Sequence, residues 1–199
     1  MGRRTAPKRA AFRHGNLSEA LLEAALRHIE AHGADSITMR DLAHDTGVNH
    51  RAIYRYFPDK ETLLADVAER CWQEYIEKLR QATANTPPGE PTLLAAGVAM
   101  YKYGRDNPNR FLFATGAYPG PDVTFPRLEA AIMEALQIFA VGFAGTGMAP
   151  DLVVSRAAVY TATLQGIVSQ ILHRRLRLAP IHATEWMTGV CAMLVKGFK

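Results

Sequence analysis

The side chains with the clearest chemical purpose lie between Thr38 and Lys60, and most are donors suited to phosphate oxygens or base edges. At about 100° per residue, His50, Arg51, Tyr54 and Arg55 fall on one arc of a short helix, with Ala52, Ile53, Tyr56 and Phe57 on the opposite arc. Such a helix buries its apolar side in a small domain and offers the other to a DNA groove, which is what a helix-turn-helix reader requires. An ordinary amphipathic surface helix can carry the same basic face, so the elements around it decide.

Those elements suit a reader. Thr38 is placed to cap a preceding helix, with Asp41 three residues on completing a capping box and Ile37, Leu42 and Ala43 supplying its buried side. Gly47 stands where a chain leaving a helix takes a left-handed conformation. Val48 follows as a core plug, and Asn49 is a good N-cap for the reading helix. Pro58 ends that helix, since the residue before proline avoids the helical region. Asp59 then caps a further helix, with Lys60 in its first turn.

The run TMRDLAHDTGVNHRAIYRYFPDKETLL resembles the DNA-binding signature of the TetR family of bacterial transcription regulators. The resemblance is carried by Thr38, the Asp41-Leu42-Ala43 run, Gly47-Val48, the Tyr54-x-x-Phe57 pair, and Lys60 followed by Leu63. It is strong over residues 16–70 and mainly architectural beyond them. Asn49 stands where the family often has serine, which keeps the capping role, and His50 and Arg51 occupy positions that vary, so no operator sequence follows. The resemblance implies a dimer that reads double-stranded operator DNA and answers to a small-molecule effector. Thr38, Arg40, Tyr54, Tyr56 and Lys60 are expected mainly on phosphates, and His50, Arg51 and Arg55 on base edges.

Charge distribution agrees with a DNA partner. The chain of 199 residues has a net charge of +4 and is 48% hydrophobic. Residues 1–60 hold ten Lys/Arg against seven Asp/Glu, and the remainder thirteen against twelve. An arm over residues 1–15 carries Arg3, Arg4, Lys8, Arg9 and Arg13 with no acidic residue before Glu19. It suits phosphate tracking or minor-groove entry, and suits a solubilising tail equally. No apolar stretch follows the basic start, so no secretory signal is expected. No run approaches the roughly 18 apolar residues that span a bilayer, so no membrane association is expected. Cys71 and Cys191 are far apart in sequence, and a cytoplasmic location with reduced thiols is the simplest expectation.

Periodicity predicts an all-α chain. A helix-turn-helix domain spans 16–58, with a first helix from Leu17 to His32 begun by Asn16 and Glu19 and stopped by Gly33. A connecting helix lies within 59–84 and runs from Lys60 to about Ala82. A helical-bundle body for effector binding and dimerisation fills 85–199, after the break at Asn85-Thr-Pro-Pro-Gly-Glu-Pro91. Its helices are expected near 92–105, 109–116, 126–143, 151–175 and 183–198, with a turn-rich loop at Tyr118-Pro-Gly-Pro121.

The helix from Asp151 is apolar nearly all round, and the last helix carries Trp186, Met187, Val190, Met193, Leu194 and Phe198. Either an ordinary core or a second copy of the chain would cover them; the resemblance implies a four-helix dimer interface built from these two helices. Ala158, Leu164, Ile171, Met187, Val190 and Leu194 are the candidate contacts. The body is also rich in aromatic and flexible apolar residues, which line ligand pockets as readily as they fill cores. Met100, Tyr103, Phe111, Phe113, Met133, Phe139, Phe143, Tyr160 and Leu164 are the candidate ligand residues.

Other chemistries find little support. His28 and His32 have the i, i+4 spacing of paired metal ligands, but no third strong ligand is near in sequence, and no metal or cofactor is expected. No Gly-rich phosphate loop, nucleophile elbow or nucleophile–base pair is present. The leading expectation is a dimeric repressor released from its operator by a small apolar or aromatic molecule. Its alternatives are a dimeric DNA-binding regulator with no small-molecule effector and, from another class, a small helical enzyme.

Overall fold

The computed structural model describes residues 17–116, 124–177 and 182–198. The basic arm, Asn16 and Tyr118 lie outside these residues. The described residues are helical, and the chain divides into two compact units, Met1–Val67 and Ala68–Lys199. The division falls inside the helix Lys60–Thr83, whereas the sequence reading starts a separate connector at residue 59.

In the first unit, α1 (Leu17–His32) buries Leu17, Leu21, Ala24, Ala25, Leu26 and Ile29 along one stripe. Gly33 closes it at φ +79°, its amide donating to Ile29 O at 2.9 Å. α2 (Met39–Asp45) adds Met39, Leu42 and Ala43 to the same small core, and α3 (His50–Ile53) adds Ile53. Phe57 and the start of α4 (Lys60–Thr83), with Leu63, Leu64 and Val67, complete the buried set. These helices close a core because α1 and α2 supply most of the apolar side chains, and Gly33, Thr38 and Asn49 fix where α1 stops and α2 and α3 start.

The second unit is built around α5 (Glu90–Asp106), which buries nine residues from Thr92 to Gly104. Packed on it are α6 (Pro108–Ala114), α7 (Pro126–Ala144), α8 (Pro150–Leu172) and α9 (Ala183–Gly197). α6, α7 and α8 each begin on proline, whose missing N–H has no intrahelical role there. Two glycines let neighbours approach α5. A Cβ on Gly97 would collide with Cys191 Sγ of α9, and one on Gly104 would lie 2.7 Å from Val168 Cγ1 of α8. Buried polar tips are tied to backbone: Trp72 Nε1 donates to Ala114 O (3.1 Å), Tyr103 OH to Cys71 O (3.1 Å) and Tyr160 OH to Leu93 O (3.0 Å). Arg110 pairs with Glu74 at 2.5 Å, half-buried, and on the surface Arg80 pairs with Glu134.

α8 and α9 each bury a single stripe: Ala157, Tyr160, Leu164 and Val168 on α8, and Ala183, Met187, Cys191 and Val195 on α9. This corrects two of the interface candidates. Leu164 and Met187 have no exposed surface and face the core of their own unit. Ala158 is exposed, and Ile171, Val190 and Leu194 are half-buried. The strongly exposed apolar side chains are others: Leu152, Val154 and Val159 on α8 and Met193 on α9. The physical reason is that a helix apolar all round carries no periodic signal for which stripe turns inward. A second correction concerns length. Among the described residues, α8 is long and apolar enough to cross a membrane by length and composition, although the sequence reading finds no such run. Only 22% of its most apolar window is buried. Both cysteines are free and buried.

Candidate nucleic-acid interface and effector cavity

The interface is assembled by caps. Thr38 stands at the N-cap of α2, where its Oγ1 accepts the Asp41 amide at 3.1 Å and donates to Asp41 Oδ2 at 2.6 Å. The reciprocal half of the capping box therefore runs to the threonine hydroxyl rather than to its backbone. That hydroxyl is committed to the cap, so a phosphate would have to compete with a carboxylate for it. After α2, the Gly47 amide donates to His44 O (3.0 Å) and the Val48 amide to Ala43 O (2.9 Å), with Gly47 at φ +68°. Asn49 then turns the chain into α3, its Oδ1 accepting the Arg51 amide at 2.9 Å.

α3 proper is a single turn. Beyond Ile53 the path tightens, with the Arg55 amide donating to Ala52 O (3.3 Å) and both the Tyr56 and Phe57 amides to Ile53 O (3.0 Å). Pro58 bars the helix from continuing past Phe57, because it disfavours a helical conformation at that residue. The two arcs nevertheless separate. Ile53 and Phe57 are buried, Ala52 and Tyr56 half-buried, and His50, Arg51, Tyr54 and Arg55 exposed. His50 and Tyr54 meet edge to face at 5.1 Å between ring centres. Arg40 on α2 is exposed, and Lys60 at the start of α4 is half-buried. Asp59 caps α4 by accepting the Thr62 amide at 2.7 Å, and the Thr62 bonds hold its carboxyl below the usual carboxylate range.

Residues 21–67 match the family of bacterial regulatory proteins, tetR family. Residues 21–67 are therefore a TetR-type DNA-binding head. A head of this kind marks a DNA-binding transcription regulator. A search of the curated proteins finds no match. Solved structures share the TetR fold along nearly the whole chain. A protein of unknown function from Rhodococcus sp. RHA1 has a TM-score of 0.78 at 22% identity, over 94% of this chain and 97% of that one. The fatty acid degradation regulator FadR from Bacillus halodurans has a TM-score of 0.72 at 16% identity, over 94% and 99%. A tetR-family regulatory protein from Rhodococcus RHA1 has a TM-score of 0.66 at 13% identity, over 90% and 95%. At these identities the likeness is one of fold.

The TetR-type head is followed by a body that holds a partly open cavity of about 230 Å³. Its walls are Trp72 and Tyr75 from α4, Ile132, Ala135, Leu136 and Phe139 from α7, and Ala158, Thr161, Ala162 and Gln165 from α8. None of these is charged. Of the candidate ligand residues only Phe139 bounds this cavity. Met100, Tyr103, Phe111, Phe113, Phe143, Tyr160 and Leu164 are buried in the packing around α5, and Met133 is 56% exposed. Phe139 and Phe143 pack on Tyr160 at 5.9 and 5.6 Å, a filled aromatic core. Trp72 and Tyr75 were legible as an i, i+3 aromatic pair, but they lie on the helix the sequence reading treats as a connector.

His28 and His32 do come together, with ring centres 5.1 Å apart, and His28 Nε2 lies 3.0 Å from Ser36 Oγ. Among the described residues no group of three or more His, Cys, Asp or Glu side chains is placed to hold a metal ion.

Proposed function

We propose that this TetR-family protein is a dimeric, ligand-responsive repressor that acts in the cytoplasm. The observation that carries the reading is the exposed arc His50–Arg51–Tyr54–Arg55, held at the end of a capped turn on a TetR-type head. Arg51, Arg55 and His50 are the residues for base edges, because their donors suit the acceptors of a major groove. Arg40, Tyr54, Tyr56, Lys60 and the capping pair Thr38 and Asn49 set the head on the backbone. Two heads in a homodimer address half-sites about one helical turn apart, or somewhat more, in a roughly palindromic operator.

Dimerisation is supported by the apolar side chains that α8 and α9 leave exposed, Leu152, Val154, Val159 and Met193, which a second copy would remove from water. Effector response is supported by the uncharged cavity in the body, whose α4 wall belongs to the helix that begins in the head. A ligand that binds one conformation more tightly than another shifts the DNA affinity through that difference alone. Selection of bound sequences from a random DNA pool, followed by a small-molecule screen for release, tests the reading. A palindromic consensus, a two-subunit complex and release by at least one compound are the expected results. Enrichment of no sequence above background would overturn it.

A further inference from the structure

Of the four polar side chains in the cavity wall, Trp72, Tyr75, Thr161 and Gln165, two are committed. Trp72 Nε1 donates to Ala114 O at 3.1 Å. Thr161 Oγ1 is bonded within its own helix, to Ala157 O at 2.9 Å and Ala158 O at 3.0 Å. Behind the wall, the Tyr103 and Tyr160 hydroxyls donate to the carbonyls of Cys71 and Leu93. Tyr75 differs. It lines the cavity, is 3% exposed, and its hydroxyl is buried with no hydrogen-bond partner. Its ring is fixed between Trp72 (5.6 Å) and Tyr103 (5.4 Å), so the hydroxyl cannot swing out to solvent without disturbing both.

A buried hydroxyl without a partner forfeits the hydrogen bonds it had in water. A molecule that offers it an acceptor recovers that loss in addition to its own apolar burial. Charge is selected against, because an ion entering a site with no charged wall would be buried unpaired. The volume suits a small ring compound, since an apolar cavity of about 150 Å³ already takes benzene and this one, partly open, measures about 230 Å³.

We propose that the cavity binds a neutral, largely apolar molecule of one or two rings bearing a single hydrogen-bond acceptor, such as a ketone, ether or ring nitrogen, and that Tyr75 donates to it. Burial, with Tyr103 adding to it, pushes the Tyr75 phenol well above its ordinary pKa, so it stays a neutral donor at any working pH. Gln165, half-buried on the α8 wall, offers a second and weaker polar contact. The inference rests on the ligand-responsive reading, and its test separates the two.

Acetophenone, ethylbenzene and benzoate serve as probes of matched ring and differing head group, titrated by calorimetry into the full chain and into Tyr75→Phe. The variant should weaken acetophenone about tenfold, the worth of one hydrogen bond, while ethylbenzene changes less than about twofold and benzoate binds weakest to both proteins. Without ligand the variant should melt at or above the parent temperature, because it removes an unpaired hydroxyl. Equal loss for acetophenone and ethylbenzene, no binding of either to the parent, or a variant that melts several degrees lower would each overturn the proposal. Operator release is read separately with the same compounds. Tyr75-dependent binding without release keeps this site and defeats the regulatory reading. Release that Tyr75→Phe leaves unaltered does the reverse.

Discussion

The Asn49 side-chain oxygen accepts the backbone amide of Arg51 at 2.9 Å, so the residue that begins the reading turn also sets the backbone of its leading base-contact candidate. With only one helical turn in α3, no neighbouring turn can take over that role. Asn49→Ala should therefore cost about 1 kcal/mol of stability and lower operator affinity by more than that loss accounts for. Thermal melts beside binding isotherms separate the two effects; an affinity loss no larger than the stability loss would show that the cap only holds the fold.

Arg51→Ala and Arg55→Ala should each weaken specific binding by roughly 1–3 kcal/mol and relax base preference at one position. Lys60→Ala should weaken binding evenly across sequences and lower the salt slope by about one unit. Operator titrations at several salt concentrations distinguish the two kinds of loss. Parent-like binding by all three variants would move the reading surface elsewhere.

Val159→Glu and Met193→Glu should dissociate the proposed dimer while leaving the helical signal and melting of each chain nearly intact, because the two side chains are 49% and 63% exposed. Leu164→Glu should instead prevent folding, since it buries an unpaired charge in the core. Sedimentation at micromolar concentration checks this. A parent chain that runs as a compact monomer, or that partitions into vesicles through α8, would contradict it.

Gly104→Ala should destabilise the body by about 1–3 kcal/mol, the usual cost of overpacking a core, because the added methyl meets Val168 Cγ1 at 2.7 Å. Gly97→Ala should do the same against Cys191. In each case Val168→Ala or Cys191→Ala should restore part of the loss, and the double-mutant melts measure how much.

The Asp59 cap predicts a pH dependence of known sign. Its carboxyl is held below the usual range by the Thr62 bonds. Its contribution is therefore complete above the unfolded value of about 3.9 and is lost as pH falls through the lower folded value. The stability gap between the parent and Asp59→Ala should be constant from neutral pH to about 5 and shrink below 4. Because Asp59 is exposed, the gap is modest, and chemical denaturation over that range reads it.

The head was almost wholly legible in the residues. Thr38, Gly47, Asn49 and Asp59 act through bonds to residues two to four positions away, and such local chemistry is written in order along the chain. The arcs of the reading turn were legible for the same reason, since Ile53 and Phe57 are apolar where Arg51 and Arg55 are not. The helices of the body were legible too, because proline and glycine punctuate them. What the tertiary structure alone decided is which stripe of an apolar helix turns inward. Leu164 and Met187 look like Val159 and Met193 in composition, yet the first two are sealed against α5 and its neighbours and the last two are not. It also decided where the body is hollow. Tyr75 and Tyr103 are both buried tyrosines, but only one finds a carbonyl. Packing is a relation between residues far apart in sequence, so neither periodicity nor composition encodes which of two similar side chains meets a partner.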